Sequence, residues 1–150
     1  WRFMGTHQKM RPIYETRSDL NREHDCVERL MSAWKCNARK LPISYQLDYM
    51  FERNNKPSGW CEIKCRNHSF NTYPTLILSY AKMDRGIQYH NRTGLPFIVV
   101  ASMQDGDFWY LHSDGDDLPI RWGGRTKNVR DNQDSEPVVH IPMDLFKRVA

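Results

Sequence analysis

Polar and apolar residues alternate along two neighbouring stretches near the middle of the chain, 46–51 and 59–65. Alternation with a period of two predicts β-strands with one buried and one polar face. The segment between them, 53–58, holds two Asn, one Pro and one Ser and predicts a turn. The pattern therefore predicts a β-hairpin, with its first strand running from Ile43 to Phe51.

The register of this hairpin decides which side chains meet. Folding it about Asn55 places Asp48 opposite Glu62 and Gln46 opposite Lys64. One face is then largely polar: Gln46, Asp48, Met50, Trp60, Glu62 and Lys64. The other is a core face: Leu47, Tyr49, Phe51, Cys61, Ile63 and Cys65. Directly opposed side chains lie about 5 Å apart at Cβ.

The paired acids of the polar face suggest a chemistry. Two carboxylates as close as Asp48 and Glu62 repel each other unless a cation lies between them. Carboxylate and water ligands suit Mg²⁺ or Mn²⁺. Lys64 points the same way as Glu62 and could stabilise or protonate a reacting oxygen. An ordinary amphipathic hairpin, with Glu62 and Lys64 as a surface pair, is the alternative.

A first helix is predicted before the hairpin, capped by Thr16 or Ser18 and ending near Lys35. Its apolar stripe consists of Leu20, Val27, Leu30, Met31 and Trp34. Glu23 falls inside that stripe, where an acid costs free energy unless it is paired or near a cation. Pairing with Arg or Lys at the edge of the stripe is the structural alternative. Arg39 and Lys40 follow the helix and are expected to be solvated.

A second helix is predicted from Tyr73 and Pro74 to a stop at Gly94. Its stripe consists of Leu76, Ile77, Tyr80, Met83, Asp84 and Ile87. Lys82 lies off the stripe, as a solvated lysine would.

Three strands are predicted in the second half of the chain. The apolar run 95–101 predicts a strand buried on both faces, and a turn at 104–107 leads to a strand at 108–112. Residues 136–142 predict a last short strand. We expect a terminal turn or helix after it that buries Leu145 and Phe146.

Composition restricts the class of protein. The 150 residues predict one domain, and 27% charged with 39% hydrophobic residues is typical of a globular chain. The net charge of +4 is compatible with an acidic partner such as nucleic acid. No apolar run approaches the roughly 18 residues of a membrane span. Cys61 and Cys65 lie about 13 Å apart on a strand, too far for a disulfide or one zinc ion, so we expect a reducing compartment.

The segment 121–130 carries four positive charges and no acid: Arg121, Arg125, Lys127 and Arg130. Its glycines allow close approach of the backbone to a ligand, and Trp122 can stack on a base. This segment is a candidate phosphate-binding loop. A flexible surface loop is the alternative.

Asp48 on one strand and Glu62-Ile63-Lys64 on the next resemble the signature of the PD-(D/E)XK nuclease superfamily. Leu47 stands where that signature has Pro. The resemblance covers about 18–110 and implies a restriction-endonuclease-like α/β fold, with a central mixed sheet flanked by helices in the order αβββαβ. We expect one domain over 1–150, with its core at about 16–112 and the basic loop and a C-terminal strand or helix at 121–150.

The resemblance also implies a function: a divalent-metal-dependent DNA endonuclease, with Mg²⁺ as cofactor and Mn²⁺ as substitute. Asp48, Glu62 and the Ile63 carbonyl would bind the metal, and Glu23 would hold a second metal or a water. Lys64 would orient the attacking water or offset charge on the pentavalent phosphate. Lys82 matches a basic residue that faces the site from the second helix.

The general shape is similar to small phage-encoded members and to archaeal Holliday-junction resolvases. Such a protein would act in the cytoplasm of a bacterial host, and many relatives of this type are homodimers. The alternative function is a non-catalytic module on the same fold that binds nucleic acid or protein.

Overall fold

Two α-helices and nine β-strands make up the parts of the chain that the computed structural model describes, residues 17–124 and 135–149. The helices are α1 (Arg17–Trp34) and α2 (Tyr80–Thr93). The strands are β1 (Asn37–Lys40), β2 (Tyr49–Arg53), β3 (Lys56–Cys65), β4 (Thr75–Ser79), β5 (Phe97–Met103), β6 (Gly106–Leu111), β7 (Ile120–Gly124), β8 (Ser135–Pro142) and β9 (Lys147–Arg148). The order αβββαβ is present, with β4 inserted before α2.

A six-stranded mixed sheet forms the centre, in the order β1-β2-β3-β5-β6-β9. Its middle pair, β3 and β5, is parallel, and the other pairs are antiparallel. The other three strands form an antiparallel sheet in the order β4-β8-β7. One buried cluster joins α1 to the central sheet, and another joins α2 and the smaller sheet to the opposite face. The predicted fold class is confirmed, whereas the prediction of one domain over 1–150 extends to residues outside the described ranges and stays a prediction.

The central hairpin has the predicted register but a shorter turn. Tyr49 faces Cys61 as predicted. The turn consists of residues 54–55, both with positive φ, a conformation that Asn tolerates better than most residues. A bulge between Phe51 and Glu52 absorbs the difference.

The segment before β2 is not a strand, so the predicted strand from Ile43 is wrong there. Ile43–Tyr45 forms a 3₁₀ turn, and Gln46 has a φ of 61°. This left-handed residue interrupts the alternation of faces, and Gln46 does not pair with Lys64. Leu47 consequently packs in the cluster on the α2 side instead of joining Tyr49.

Strand β1 was not predicted, because its sequence lacks apolar alternation. It is an edge strand formed by pairing with β2, and Lys40 lies opposite Tyr49. Arg39 donates a hydrogen bond of 2.9 Å to Glu52, while Lys40 forms ion pairs of its own. The expectation of a solvated side chain is therefore wrong for Lys40, whereas Arg39 is 72% exposed and pairs at the surface.

Helix α1 spans nearly the predicted range, and most of its predicted stripe packs on the sheet. Val27 and Leu30 are buried, but Leu20 is 41% exposed and Cys26 takes a core position instead. Glu23 is buried within this face, as the sequence predicts.

The second helix begins later than predicted, because Thr75–Ser79 forms strand β4. Ile77 pairs with His140 of β8. A short apolar run has no decisive periodicity, so only the neighbouring strand settles its conformation. The helix ends as predicted at Gly94, whose φ is 76°.

The strands of the second half are confirmed as β5, β6 and β8. After β8, Phe146 is buried as predicted, whereas Leu145 is 40% exposed. Neither described helix is long and apolar enough to cross a membrane.

Replacing Asp107 with Asn should lower the free energy of unfolding at neutral pH by about 1–2 kcal/mol. Burial alone would raise the pKa of Asp107, but hydrogen bonds from Arg29 and Ser102 outweigh it and lower that pKa. The contribution of a carboxylate with a lowered pKa is present above its unfolded pKa and is lost as the pH falls through its folded pKa. Urea unfolding at pH 7 and pH 3 measures the difference, with Asp117→Asn, at an exposed side chain, as the control. An equal loss at both pH values would contradict the expectation.

Candidate functional site

The acids of the hairpin lie where β2 begins and β3 continues past it. Asp48 immediately precedes β2 and is 7% exposed. Its Oδ2 accepts a hydrogen bond of 2.8 Å from the backbone N–H of Ile63. The Asp48 side chain thus accepts the hydrogen bond of a β3 amide that lies beyond the first residue of β2. This bond holds the Asp48 carboxylate beside the strand that carries Glu62.

Glu62 is fully buried on the α2 side of the sheet. Its Oε2 lies 3.3 Å from the Lys64 ammonium and 3.1 Å from that of Lys82. Its Oε1 has no hydrogen-bond partner within the described ranges. Burial raises the pKa of the Glu62 carboxyl; Lys64 and Lys82 oppose this shift, and the charge of Asp48 adds to it.

Glu23 reaches the same end of the sheet from the α1 side. Its Oε2 lies 2.6 Å from the Lys40 ammonium, which is also 3.5 Å from Oδ1 of Asp48. The Tyr49 hydroxyl is also hydrogen-bonded to Glu23, and burial followed by the charge of Glu23 raises the pKa of Tyr49. Glu23 is thus paired with a lysine, as the structural alternative expected, but that lysine lies on β1 and not at the edge of the α1 stripe.

Three carboxylates therefore alternate with three ammonium groups along this end of the sheet. Lys40 lies between Glu23 and Asp48, and Glu62 lies between Lys64 and Lys82. Within 17–124 and 135–149, no three His, Cys, Asp or Glu side chains are close enough together to hold a metal ion jointly. The reason is that Glu23 and Glu62 come from opposite faces of the sheet.

The donor set at Asp48 and Glu62 suits one hard divalent cation. Carboxylate oxygens are the ligands that Mg²⁺ and Mn²⁺ prefer. Oε1 of Glu62 is buried without a partner in the described part of the chain, and such an atom costs free energy that a bound cation would offset.

The structure brings six of the predicted site residues together: Glu23, Asp48, Glu62, Ile63, Lys64 and Lys82. The contact of Lys82 with Glu62 excludes the interpretation of Lys82 as a merely solvated lysine. Lys40 and Tyr49 were missed as site residues. A polar edge strand carries no sequence signal for Lys40, and the apolar alternation around Tyr49 indicated only a core position.

The predicted basic loop is only partly described. Arg121 lies on β7 and is exposed, so the stretch begins as a strand. Trp122, next to it, is 75% exposed. Arg125, Lys127 and Arg130 lie outside the described residues.

Known proteins resemble this chain in sequence and in fold. A family described as phage putative PDDEXK endonuclease matches residues 9–149. Among solved structures, the chain is similar to Hjc, a Holliday junction resolvase from the archaeal hyperthermophile Archaeoglobus fulgidus. The two share 16% identity with a TM-score of 0.57, over 87% of this chain and 91% of that chain, which shows a common fold. No curated protein matches the sequence.

Proposed function

This chain belongs to the phage putative PDDEXK endonuclease family, and from that membership we propose that it is a divalent-metal-dependent endonuclease that hydrolyses phosphodiester bonds of DNA. The observation that carries the proposal is the pair of buried acids Asp48 and Glu62, with the Lys64 ammonium 3.3 Å from Glu62. Buried acids beside an amine are costly to fold and are typical of a reactive site.

Each site residue has a proposed role in hydrolysis. Asp48, Glu62 and the Ile63 carbonyl would hold one Mg²⁺ or Mn²⁺. Such an ion, when bound, supplies an activated water and neutralises charge on the phosphate. Lys64 offsets the negative charge that develops on the pentavalent phosphate. The ammonium groups of Lys64 and Lys82 both contact Oε2 of Glu62. The site therefore offers two ammonium groups to an incoming phosphate.

Basic residues of the segment 121–130 would bind the DNA backbone. Arg121 is exposed on β7, and Arg125, Lys127 and Arg130 follow it in sequence. Phosphate contacts of this kind position a duplex without reading its sequence. We propose that these four residues bind phosphates of the DNA substrate.

The preferred DNA structure is a finer proposal. The similar fold of Hjc, described as a Holliday junction resolvase, favours branched DNA over plain duplex as the substrate of this chain. A homodimer would cut two strands of such a junction symmetrically. The competing proposal, a non-catalytic binding module, predicts DNA binding without cleavage and without dependence on metal.

Cleavage of plasmid and of a synthetic four-way junction with Mg²⁺ or Mn²⁺ tests the function. We expect Lys64→Met to lower the cleavage rate roughly 10²–10³-fold, because it removes a group that stabilises developing charge. Asp48→Asn should abolish metal-dependent cleavage. Lys56→Met, at the exposed start of β3, is the matched control and should cleave normally. Equal cleavage by wild type and both site variants would refute the proposal, and binding without cleavage by wild type would favour the module.

A further inference from the structure

Lys40 holds an unusual position for a lysine on an edge strand. Its ammonium is 2.6 Å from Oε2 of Glu23 and 3.5 Å from Oδ1 of Asp48, two carboxylates of which only 8% and 10% of the side chain is exposed. One ammonium group thus bridges two buried acids. Removing it would leave two like charges close together with little water to screen them.

The sheet edge determines where this ammonium lies. Lys40 pairs with Tyr49 across β1 and β2, and the backbone N–H of Leu41 donates a 2.8 Å hydrogen bond to the carbonyl of Asp48. The Lys40 ammonium also lies 5.1 Å from the centre of the Tyr49 ring, within cation–π distance. The backbone ladder and the aromatic ring therefore hold Lys40 against the acids.

From this geometry we infer that Lys40 substitutes for a second divalent ion. Its ammonium neutralises Glu23 and the facing oxygen of Asp48, so that the site binds one metal, on the Glu62 side. The inference rests on the proposed function and deepens it. It differs from the sequence-based expectation that Glu23 holds a second metal or a water.

The contacts of Glu23 support this division of the site. The Glu23 carboxylate is engaged by the Lys40 ammonium and by the Tyr49 hydroxyl. A metal ion at Oε2 of Glu23 would have to displace the Lys40 ammonium. Oε1 of Glu62, in contrast, has no hydrogen-bond partner in the described part of the chain. The acids on the two faces of the sheet therefore differ: Glu23 is engaged by the Lys40 ammonium and the Tyr49 hydroxyl, whereas Glu62 keeps one buried oxygen, Oε1, without a hydrogen-bond partner in the described part of the chain.

Counting bound Mn²⁺ on the full chain by titration calorimetry and electron paramagnetic resonance tests the inference. Wild type should bind one ion. Lys40→Met should bind two, because Glu23 and Asp48 lose their fixed cation, and a second nearby Mn²⁺ broadens the spectrum. Lys40→Arg keeps the charge and should bind one ion. Arg39→Met, the neighbouring residue, whose partner is Glu52, is the matched control and should also bind one.

Further variants separate this inference from a purely structural role for Lys40. Adding Glu23→Gln to Lys40→Met should return the count from two to one, and Glu23→Gln alone should keep it at one. Without metal, Lys40→Met should melt roughly 5–10 °C below wild type, and Mn²⁺ should recover most of that loss. Because Glu23→Gln alone leaves Lys40 intact, it remains informative even if Lys40→Met does not fold.

Three outcomes would overturn the inference: one ion in Lys40→Met at wild-type affinity, two ions in wild type, or a lower count in Glu23→Gln. None of these outcomes contradicts the proposed function, provided that Glu62→Gln binds one Mn²⁺ fewer than wild type. If wild type binds no ion, the proposed function fails. In that case, the inference about Lys40 holds only if Lys40→Met binds an ion and the double variant, with Glu23→Gln added, does not.

Discussion

Replacing Glu62 with Gln should lower metal-dependent DNA cleavage by at least about 10³-fold, since loss of a metal ligand removes several kcal/mol of stabilisation from the transition state. Gln has nearly the same shape as Glu, so the packing around this fully buried side chain should persist. The variant therefore removes the negative charge of Glu62 and leaves the volume of the side chain almost unchanged.

The same change should raise the melting temperature by a few degrees at neutral pH. Burial raises the pKa of Glu62 in the folded state, so the folded chain binds this proton more tightly than the unfolded chain. Ionised Glu62 consequently destabilises the fold above its unfolded pKa of about 4.3. The advantage of Gln should be present at pH 7–8 and vanish as the pH falls below that value. Lys64 and Lys82 are 24% and 34% exposed and can turn to solvent without their partner.

Parallel cleavage assays and thermal melts across pH 4–8 measure both effects. Glu52→Gln is the control, because Glu52 lies on β2 and pairs with Arg39 away from the site. It should cleave like wild type and show no gain in stability. A Glu62→Gln variant that retains cleavage would refute the metal-ligand role, and one that melts lower only at neutral pH would show that ionised Glu62 stabilises the fold.

Replacing Gly86 with Ala should destabilise the protein by about 3 kcal/mol, the upper end of the cost of overpacking a core. A Cβ at this position of α2 would lie 2.3 Å from the ring of Phe97, which is fully buried on β5. Ala normally stabilises a helix interior by about 1 kcal/mol over Gly. At Gly86 the steric overlap should reverse that sign, because the added methyl group would overlap a ring that is fully buried in the core.

The melting temperature of Gly86→Ala should fall by about 10 °C, and urea unfolding should confirm the loss. Gly115→Ala is the control, since a Cβ at Gly115 would meet nothing within 4 Å. Because the close contact at Gly86 sets how near α2 lies to the sheet, cleavage should fall as well through misplacement of Lys82. A neutral or stabilising effect would show that Phe97 moves aside freely.

Local patterns were sufficient for several parts of this fold. The apolar stripe of α1, the buried run of β5 and the register at Tyr49 and Cys61 are confirmed, because each is decided by burial of nearby side chains. Local patterns failed for β1 and β4. An edge strand without apolar alternation exists because its neighbour pairs with it, and a run of three apolar residues adopts the conformation of the strand beside it.

The sequence by itself determined the signature of the nuclease superfamily, the α/β class, and the acids and lysine of the hairpin. Glu62 and Lys64 could be predicted on one face because side chains two residues apart on any β-strand point the same way. Only the tertiary structure decided how the charges are paired. Lys40 lies on a polar edge strand, and no local pattern predicts that it meets Glu23 and Asp48. Lys82 was expected near the site from the family resemblance alone, and the packing of α2 brings it to Glu62. Buried carboxylates attract whichever cations the fold brings near, and that choice depends on how strands and helices pack.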